Sequence, residues 1–349
     1  MSRKKIVGMA LALAAAILSA CGQNTVKATM HTSTIFAMDT VMELQIAGDE
    51  SLLKDAEEKI RSFEKSLSVT DNNSEIAKLN MNGRAELSAE TASLMKEALS
   101  ICTSTQGALD ITVYPVLKAW GFTTQDYKVP GDEELQELLQ YVDYKNISLS
   151  DGEKSSQTYS CEIPEGVSVD LGSVAKGYTS RELADFFTKN GVTSGLINLG
   201  GNVQCIGKKT NGMPWKVAIK SPYTDSATGI IGVIDAYDTA IITSGGYERY
   251  FEQDGKTYWH IIDPGTGYPA QNGLVSVTIV GKDGLICDGL STALFVMGLD
   301  DAISYYRENG GFDAIFITDD KQLFITQGIS DKFTLSSEYY DVPMHVVSK

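Results

Sequence analysis

The spacing of hydrophobic residues changes along the chain, and each change predicts a different kind of secondary structure. Apolar residues three and four positions apart predict amphipathic helices at residues 51–66, 88–102 and 173–190. A further helix is predicted at residues 288–297, and the chain beyond it suggests a helix followed by strands. In the helix at 173–190, the expected buried face is formed by Ala175, Tyr178, Leu183, Phe186 and Phe187.

Short alternating or continuously apolar runs predict β-strands between these helices. These runs lie at residues 34–46, 195–198, 203–206, 215–219, 229–234, 240–243, 257–262 and 275–280, and residues 151–169 are also strand-like. The strands follow one another in groups, without the regular alternation of strand and helix that is typical of a doubly wound parallel sheet. The pattern therefore predicts an α+β fold, with mixed or antiparallel sheets and packed helices.

The N-terminus resembles an export signal followed by a lipidation site. A basic segment at residues 3–5 precedes an almost entirely apolar run at residues 6–17, which is too short to span about 30 Å of hydrocarbon. The next four residues, Leu18-Ser19-Ala20-Cys21, resemble a bacterial lipobox, in which the Cys21 thiol carries the lipid. The alternative is an ordinary secreted protein in which this cysteine occurs by chance.

On the lipoprotein interpretation, the chain divides into three parts. Residues 1–20 are the lipoprotein signal peptide, residues 21–33 are a lipidated polar tether, and residues 34–345 are the folded domain. Such a protein is exported and anchored to the outer face of the bacterial cytoplasmic membrane, or lies in the periplasm if the cell has two membranes.

Charge and cysteine content narrow the possible functions. The net charge is −16, and it becomes about −19 when the basic residues 3–5 are removed with the signal peptide. Such an acidic chain has no basic stripe to neutralise phosphates, which argues against nucleic-acid binding. The cysteines beyond Cys21 form no CxxC pair, so a zinc site is not predicted, although two disulfides are possible among Cys102, Cys161, Cys205 and Cys287.

The segment SVDLGSVAKGYTSRELADFF, residues 168–187, combines an acid, a hydroxyl and a base where a helix is predicted to begin. Asp170, Ser173 and Lys176 are each three residues apart. A helix start offers unpaired N–H groups and the positive end of the helix dipole to an anion, and Lys176 would add a full charge. The alternative is structural, with Asp170 and Ser173 capping the helix and Lys176 solvated.

The segment ICDGLSTALFVMG, residues 286–298, places Asp288, Ser291 and Thr292 on one face of the predicted helix. A carboxylate and a hydroxyl one turn apart suit a hard cation, which takes oxygen ligands. Here too a structural alternative is open, in which Asp288 is the N-cap of the helix.

The segment YWHIIDPGTGYP, residues 258–269, contains the histidine that is best placed for acid–base chemistry. The other two histidines, His31 and His345, lie in the predicted tether and near the end of the chain. Alternation places His260 on the same strand face as Ile262. The alternative is a hydrogen-bonded structural histidine.

Paired glycines occur in INLGGNVQCIG, residues 197–207, and in ITSGGYERYF, residues 242–251. They permit a positive φ or a close approach of the backbone to another group. No G-x-G-x-x-G opens a helix here, so the pairs predict β-turns and are only a weak signal for a nucleotide.

The order and the residue sequences of these segments resemble those of the ApbE family, the FAD:protein FMN transferases. The resemblance extends over residues 34–334 and rests on eight segments: FAMDTVMEL, SEIAKLN, ALDITVYPVLKAWGF, VDLGSVAKGY, INLGGNVQCIG, TSGGYERYF, HIIDPGTGYP and CDGLSTALFVMG. It implies an ApbE-like, T-fold-like α+β architecture. Members of the family are typically exported bacterial lipoproteins, in agreement with Cys21.

The resemblance also implies a reaction. The enzyme would bind FAD and Mg²⁺ and transfer the FMN moiety to a Thr hydroxyl of an acceptor protein, releasing AMP. The acceptor would be a flavin-carrying redox subunit or domain. Two alternatives stay open, namely an FAD pyrophosphatase that yields FMN and AMP, and a non-catalytic flavin-binding lipoprotein.

Motif positions imply the roles of individual residues. The metal ligands would be the carbonyl of Ser173, the carboxylate of Asp288 and the hydroxyl of Thr292. His260 would take the proton from the attacking hydroxyl, and the rate should then rise with pH through the range in which an imidazole loses its proton.

The resemblance further implies a set of residues that contact FAD. Met38 would pack on the flavin, and Thr70 stands where several relatives have an aromatic residue. Lys176 stands where some relatives have an acid. The full set of cofactor contacts is Met38, Thr70, Ala108, Leu109, Asp110, Asp170, Lys176 and Ile262.

Overall fold

A computed structural model of the chain describes residues 29–150 and 158–349. Cys21 and the predicted signal peptide lie outside the described residues. Within these ranges, seventeen strands are numbered in chain order: β1 (Met30–Ala37), β2 (Thr40–Ala47), β3 (Arg84–Ser88), β4 (Ser148–Leu149), β5 (Thr158–Glu162), β6 (Ser194–Leu199), β7 (Asn202–Gly207), β8 (Trp215–Lys220), β9 (Ile230–Ala236), β10 (Ala240–Gly245), β11 (Tyr250–Gln253), β12 (Lys256–Trp259), β13 (Leu274–Gly281), β14 (Asp313–Thr318), β15 (Leu323–Thr326), β16 (Phe333–Leu335) and β17 (Met344–Val347).

The same ranges contain eight α-helices, of which α1, α3 and α6 were predicted to within two residues at each end. They are α1 (Ser51–Leu67), α2 (Glu75–Asn82), α3 (Ala89–Ser104), α4 (Tyr114–Ala119), α5 (Asp132–Leu139), α6 (Gly172–Lys189), α7 (Gly284–Met297) and α8 (Leu299–Asn309). Tyr178, Leu183 and Phe187 of α6 are buried as expected, whereas Ala175 and Phe186 are partly exposed.

A nine-stranded sheet organises the molecule. Its strand order is β1-β2-β6-β7-β10-β13-β14-β15-β17, and every neighbouring pair is antiparallel except β15 and β17. Three small sheets surround it, with the orders β3-β5-β4, β16-β9-β8 and β11-β12. This mixture of largely antiparallel sheets and packed helices confirms the predicted α+β class.

Both faces of the large sheet are buried, because alternate residues of its central strands point to opposite sides. In β10, Ile242 belongs to a core shared with helices α7 and α8, whereas Ile241 belongs to a core shared with β8 and β9. In β14, Phe316 and Ile317 divide in the same way. Helices therefore cover one face of the sheet and a small antiparallel sheet covers the other.

Several element boundaries differ from the sequence-based expectations. In the region expected to be strand-like at residues 151–169, only Thr158–Glu162 form a strand among the described residues. The strand expected at 34–46 is a hairpin, because Met38 and Asp39 have φ values of 48° and 59° and form a two-residue turn between β1 and β2. The helix expected at 288–297 begins four residues earlier, at Gly284. The strand expected at 257–262 ends at Trp259, so His260 lies in the connection that follows.

The ordered domain also begins before the expected boundary at residue 34. Met30 is already paired with Ala47 in the first hairpin, so the predicted tether and the domain overlap by four residues. His31 is part of β1 and lies 3.4 Å from Glu50, and His345 is part of β17. Cys102, Cys161, Cys205 and Cys287 are buried, and none of them forms a disulfide within the described ranges.

No helix within residues 29–150 or 158–349 is long and apolar enough to cross a membrane.

Candidate active site

The centre of the candidate site is the crossing of α6 and α7. A Cβ atom built on Gly177 would lie 2.3 Å from the carbonyl oxygen of Gly284, and one built on Gly284 would lie 2.7 Å from the carbonyl oxygen of Gly177. Only glycine at both positions allows this approach. The approach brings the backbone N–H of Gly177 within 2.7 Å of Asp288 Oδ2, to which it donates a hydrogen bond.

Asp288 is not the cap of α7. Asp283 is the N-cap, and its Oδ1 accepts hydrogen bonds from the N–H groups of Leu285 at 2.9 Å and Ile286 at 3.2 Å. Asp288 instead lies inside the helix, where only 6% of its surface is exposed. Burial raises the pKa of its carboxyl group to about 6, although the charge of Lys176 and the Gly177 hydrogen bond both act to lower it.

The same contact affects the carbonyl group of Ser173. In a regular α-helix, the N–H of Gly177 would donate to the carbonyl oxygen four residues earlier, which belongs to Ser173. The N–H of Gly177 donates to the Asp288 carboxylate, and a carbonyl oxygen has two lone pairs, so the Ser173 oxygen has acceptor capacity for another group. Ser173 itself lies within α6 and is not its cap, since the N-cap residue is Leu171.

The two hydroxyl groups of the α7 motif face different surroundings. Ser291 is fully buried and is held by the Asp288 carbonyl oxygen at 2.8 Å and by Ser244 Oγ at 2.7 Å. Thr292 is partly exposed, and its Oγ1 lies 3.2 Å from Ser244 Oγ. Thr292 therefore remains accessible to a ligand, whereas Ser291 stabilises the contact between α7 and the end of β10.

Asp170 connects the start of α6 with the loop before α4. Its backbone N–H donates to the carbonyl oxygen of Ile111 at 2.8 Å, and its Oδ1 accepts from the N–H of Gly172 at 2.8 Å. This second contact satisfies one orphan donor of the helix, but Asp170 precedes the N-cap, which is Leu171, so Asp170 is not the cap that the structural alternative expected. Burial raises the pKa of the Asp170 carboxyl group, and the charges of Arg249 and Lys176 partly oppose that rise.

His260 is held by the main chain of a neighbouring segment. Its backbone N–H and its Nδ1 both contact the carbonyl oxygen of Arg249, at 3.1 and 3.2 Å. The centre of its ring lies 6.3 Å from that of Phe122, in an edge-on arrangement. Burial and the positive charges of Arg249 and Lys176 lower the pKa of His260 to about 3, which keeps the imidazole neutral at neutral pH.

Six of the predicted residues line one cavity of about 100 Å³. They come from three distant parts of the sequence, and they are Asp170, Ser173, Lys176, His260, Asp288 and Thr292. A second cavity of about 70 Å³ adjoins it and shares four of these residues. The second cavity is also lined by Ala108, Leu109, Asp110 and Ile262.

Asp110 has a clear structural role in the wall of the second cavity. Its Oδ1 accepts hydrogen bonds from the N–H and the hydroxyl of Thr112, at 2.8 and 2.6 Å, and its Oδ2 accepts from the N–H of Tyr144 at 3.0 Å. A carboxylate with three such donors fixes the loop that carries Ala108 and Leu109. Its contribution to a ligand site is thus mainly through the backbone that it orders.

Met38 and Thr70 line neither of these two cavities. Met38 is in the tight turn of the first hairpin, where its backbone N–H donates to Glu64 Oε1 at 2.6 Å. Thr70 is in the segment before α2, where its hydroxyl lies 3.2 Å from that of Ser68. Both residues therefore lie outside the cluster that the other predicted residues form.

Several further residues line the main cavity although the sequence pattern did not single them out individually, and the polar ones include Arg249, Glu248, Ser244 and Asn202. Arg249 follows the second glycine pair, and Ser244, the last residue but one of β10, lies next to the hydroxyl groups of α7. Asn202 follows the first glycine pair and begins β7. The first glycine pair forms the predicted turn, whereas in the second pair Gly245 ends β10 and the turn begins at Gly246. The polar residues beside both pairs are the additional signal.

The oxygen groups of this cavity suit a magnesium ion. The described residues contain no cluster of three or more His, Cys, Asp or Glu side chains that could enclose a metal. Mg²⁺ does not need one, because it commonly binds through one or two carboxylates together with water and substrate phosphates. A buried Asp288 carboxylate, a Ser173 carbonyl with free acceptor capacity and the Thr292 hydroxyl form such a partial, oxygen-only set.

Comparisons with known proteins agree with this arrangement. The ApbE family model matches residues 38–316. An FAD:protein FMN transferase of Haemophilus influenzae is 33% identical over 327 residues, which cover 88% of this chain and 91% of that protein. The crystal structure of the ApbE protein of Thermotoga maritima superimposes with a TM-score of 0.76 at 31% identity, covering 90% of this chain and 99% of that one. The flavin transferase ApbE of Vibrio cholerae gives a TM-score of 0.73 at 30% identity, covering 90% and 99%. The chain therefore belongs to the ApbE family.

Proposed function

We propose that this protein is an FAD:protein FMN transferase, which moves the FMN moiety of FAD to a Thr hydroxyl of an acceptor protein with the help of Mg²⁺. The observation that carries the proposal is the shared cavity of Asp170, Ser173, Lys176, His260, Asp288 and Thr292. A cation, a carboxylate, a hydroxyl and a neutral imidazole around one space are the groups that phosphoryl-type transfer needs.

The first requirement is to hold a diphosphate in a protein whose net charge is −16. Lys176 and Arg249 line the cavity and supply positive charge. The N-terminus of α6 adds the positive end of an 18-residue helix. These groups would bind the diphosphate of FAD, while the apolar side chains of Leu109 and Ile262 would contact the rest of the molecule.

Asp288, the Ser173 carbonyl and the Thr292 hydroxyl would hold the metal ion. When bound, Mg²⁺ supplies positive charge that neutralises the diphosphate and the charge that develops on the leaving group. Asp288 is the only carboxylate of this set, so its charge is the main contribution of the protein to metal affinity.

The chemical step exchanges one phosphorus–oxygen bond for another. The hydroxyl oxygen of the acceptor attacks the phosphorus of the FMN half, and its proton passes to Nε2 of His260. The bond between that phosphorus and the bridging oxygen breaks, and AMP leaves with the bridging oxygen. The Nδ1–H of His260 points at the Arg249 carbonyl, which fixes the tautomer in which Nε2 is the free base.

Two other activities would use the same groups. Water in place of the acceptor hydroxyl would make the protein an FAD pyrophosphatase, and binding without chemistry would make it a flavin carrier. Incubating the purified protein with FAD, Mg²⁺ and a Thr-bearing acceptor domain separates them. We expect labelled acceptor and AMP; free FMN with AMP would indicate the hydrolase, and unchanged FAD would indicate the carrier.

The lipoprotein interpretation completes the proposal. Cys21 would carry the lipid, and residues 21–29 would connect it to β1, which begins at Met30. The protein would then act on the outer face of the cytoplasmic membrane, or in the periplasm of a cell with two membranes, on flavin-carrying redox subunits that are exposed there.

A further inference from the structure

Asn202 has unused hydrogen-bonding capacity at the candidate site. Only 2% of its surface is exposed, and neither Oδ1 nor Nδ2 of its carboxamide has a hydrogen-bond partner among the described residues. The residue lines the cavity that also contains Lys176 and Asp288. Buried amide atoms are almost always paired in proteins, because an unpaired one loses its contacts with water and gains nothing in return. Asn202 therefore has the properties of a residue whose partner is a ligand.

The local backbone places Asn202 at this position. Gly200 and Gly201 form a turn with φ values of 66° and 94°, and the N–H of Gly201 donates to Asn198 Oδ1 at 2.9 Å. A Cβ atom on Gly200 would lie 2.2 Å from Thr40 Oγ1, so the turn packs directly against the start of β2. This tight turn starts β7 at Asn202, which pairs with Leu199 of β6, whereas β10 pairs with the next two residues of β7.

We propose that the carboxamide of Asn202 binds the diphosphate group of FAD, an inference that rests on the proposed function. Nδ2 donates a hydrogen bond to a phosphate oxygen, and Oδ1 accepts one from water bound with the diphosphate. An amide suits this place better than an acid would, because it adds a donor without adding negative charge to a cavity that Asp170, Glu248 and Asp288 already line.

The cavity walls identify which part of FAD Asn202 contacts. Asn202 lines the larger cavity, whose charged residues include Lys176, Arg249 and Asp288. It does not line the adjoining cavity, to which Ala108 and Leu109 belong. The charged part of the ligand belongs with the charged walls, and this part is the diphosphate.

Gln204 provides a matched control. It lies two residues further along β7, so its side chain points to the same face of the sheet as that of Asn202. It is 6% exposed, and its Oε1 also has no partner among the described residues. It lines neither cavity of the candidate site. A general effect of removing a buried amide from β7 would therefore appear in both positions.

The test compares Asn202→Leu, Asn202→Ser and Gln204→Met in the full chain. The melting temperature reports folding, and titrations with Mg²⁺ present give the dissociation constants of FAD and of ADP as its competitor. We expect both Asn202 variants to fold and to bind FAD and ADP roughly 10- to 100-fold more weakly, the range for losing a hydrogen bond to a charged group. Gln204→Met should bind both ligands like the wild type.

Each other outcome has a defined meaning. A folded Asn202→Ser with wild-type affinity for FAD would overturn the inference. Weaker binding of FAD with unchanged binding of ADP would also overturn it, because Asn202 would then contact the flavin half. A wild-type protein that binds no FAD would refute the proposed function itself, independently of Asn202.

Discussion

The imidazole Nδ1 of His260 and the carbonyl oxygen of Arg249 are 3.2 Å apart, and the same oxygen accepts the backbone N–H of His260 at 3.1 Å. Because a carbonyl oxygen can only accept, the proton of the neutral ring is on Nδ1 and the lone pair is on Nε2. The main chain of Arg249 thus sets the tautomer of the proposed base, while the side chain of Arg249 contributes positive charge to the cavity.

Replacing His260 by Ala should affect the chemical step more than binding. A Thr hydroxyl is a poor nucleophile at neutral pH, so loss of the base should slow FMN transfer by roughly 10²- to 10⁴-fold. Affinity for FAD and Mg²⁺ should stay close to that of the wild type. Single-turnover transfer and equilibrium binding should be measured on the same preparation; full transfer with weakened FAD binding would make His260 a substrate contact.

The pH dependence should differ from that of an ordinary histidine. A base works in its deprotonated form, and burial together with Arg249 and Lys176 lowers the pKa of His260 to about 3. The imidazole of the free enzyme is therefore already neutral at pH 5, so kcat/KM should show no His260 inflection between pH 5 and 8. An inflection near 6.5 that disappears in His260→Ala would contradict this, and would support the expectation from the sequence alone.

Replacing Asp288 by Asn should separate its metal role from its structural one. The amide oxygen can still accept the N–H of Gly177, but the negative charge is lost. We expect transfer to fall by orders of magnitude, and Mg²⁺ to raise the melting temperature of the wild type but not that of the variant. Equal stabilisation of both proteins by Mg²⁺ would exclude Asp288 as a ligand.

The metal-free proteins should also differ in their response to pH. The pKa of Asp288 is raised from 3.8 to about 6, so ionising it in the folded state is unfavourable and stability is lost as pH rises through this range. Asn has no proton to lose. The melting temperature of Asp288→Asn, relative to the wild type in EDTA, should therefore increase between pH 4 and pH 7.

Adding a methyl group to Gly177 should disrupt the helix crossing. Its Cβ would lie 2.3 Å from the Gly284 carbonyl oxygen and 2.5 Å from Asp288 Cβ, so α6 and α7 would have to separate. We expect Gly177→Ala to lose roughly 1–3 kcal/mol of unfolding free energy and most of its Mg²⁺ affinity. Gly131→Ala is the control, since its Cβ would meet no atom within 4 Å, and it should cost less than about 1 kcal/mol.

Arg181 joins the three helices behind the site. It makes a bidentate pair with Glu97 of α3, at 2.6 and 2.9 Å, and lies 3.3 Å from Asp283, the cap of α7. Arg181→Met should lose roughly 1–2 kcal/mol of unfolding free energy at pH 7, measured by unfolding in urea. The exposed pair of Lys189 and Asp185 is the control, and Lys189→Met should cost less than about 0.5 kcal/mol.

The ion pair of Arg181 and Glu97 should also make the stability of the protein depend on pH. Arg181 lowers the pKa of Glu97 below its ordinary value of 4.5, so the stabilisation is fully present above pH 4.5 and is lost as Glu97 becomes protonated below it. The difference in unfolding free energy between the wild type and Arg181→Met should become smaller as the pH falls from 5 to 3. A constant difference over that range would mean that Arg181 acts through packing alone.

Replacing Cys21 by Ser tests the proposed anchor. The lipid would attach through the thiol, so the variant should accumulate as an uncleaved precursor or be shed from the membrane. Cell fractionation with a mass measurement of the mature N-terminus distinguishes these results. Equal membrane retention and processing of wild type and variant would exclude the lipobox.

Local sequence patterns predicted the long helices and the fold class well. In α1 and α6 the apolar spacing predicts the helix, and tertiary contacts do not override it. Two elements were predicted wrongly because the local sequence carries no clear signal for a turn or a helix start. Met38 and Asp39 form a turn without glycine or proline, and α7 begins at Gly284 and Leu285, which carry little periodic signal before Asp288.

The candidate site was predictable only where residues are grouped in sequence motifs. Asp170, Ser173 and Lys176 share one helix start, and Asp288 and Thr292 share one helix face. The place of Asn202 and Arg249 in the site could not be predicted from the local sequence, because it depends on which strands are neighbours in the sheet. An unpaired amide, in particular, is a property of the folded surroundings and leaves no trace in the local sequence.

The hydrogen bond between Gly177 and Asp288 joins residues that are 111 positions apart in the chain. A fragment that ends before α7 contains the whole cationic half of the cavity but not the carboxylate that completes it. Such a fragment could attract a diphosphate but could not hold it for reaction. The site exists only when both segments are packed together, so truncated or partly folded copies that lack this contact should be inert instead of partly active, and activity per molecule reports directly on the fraction of chains that have folded completely.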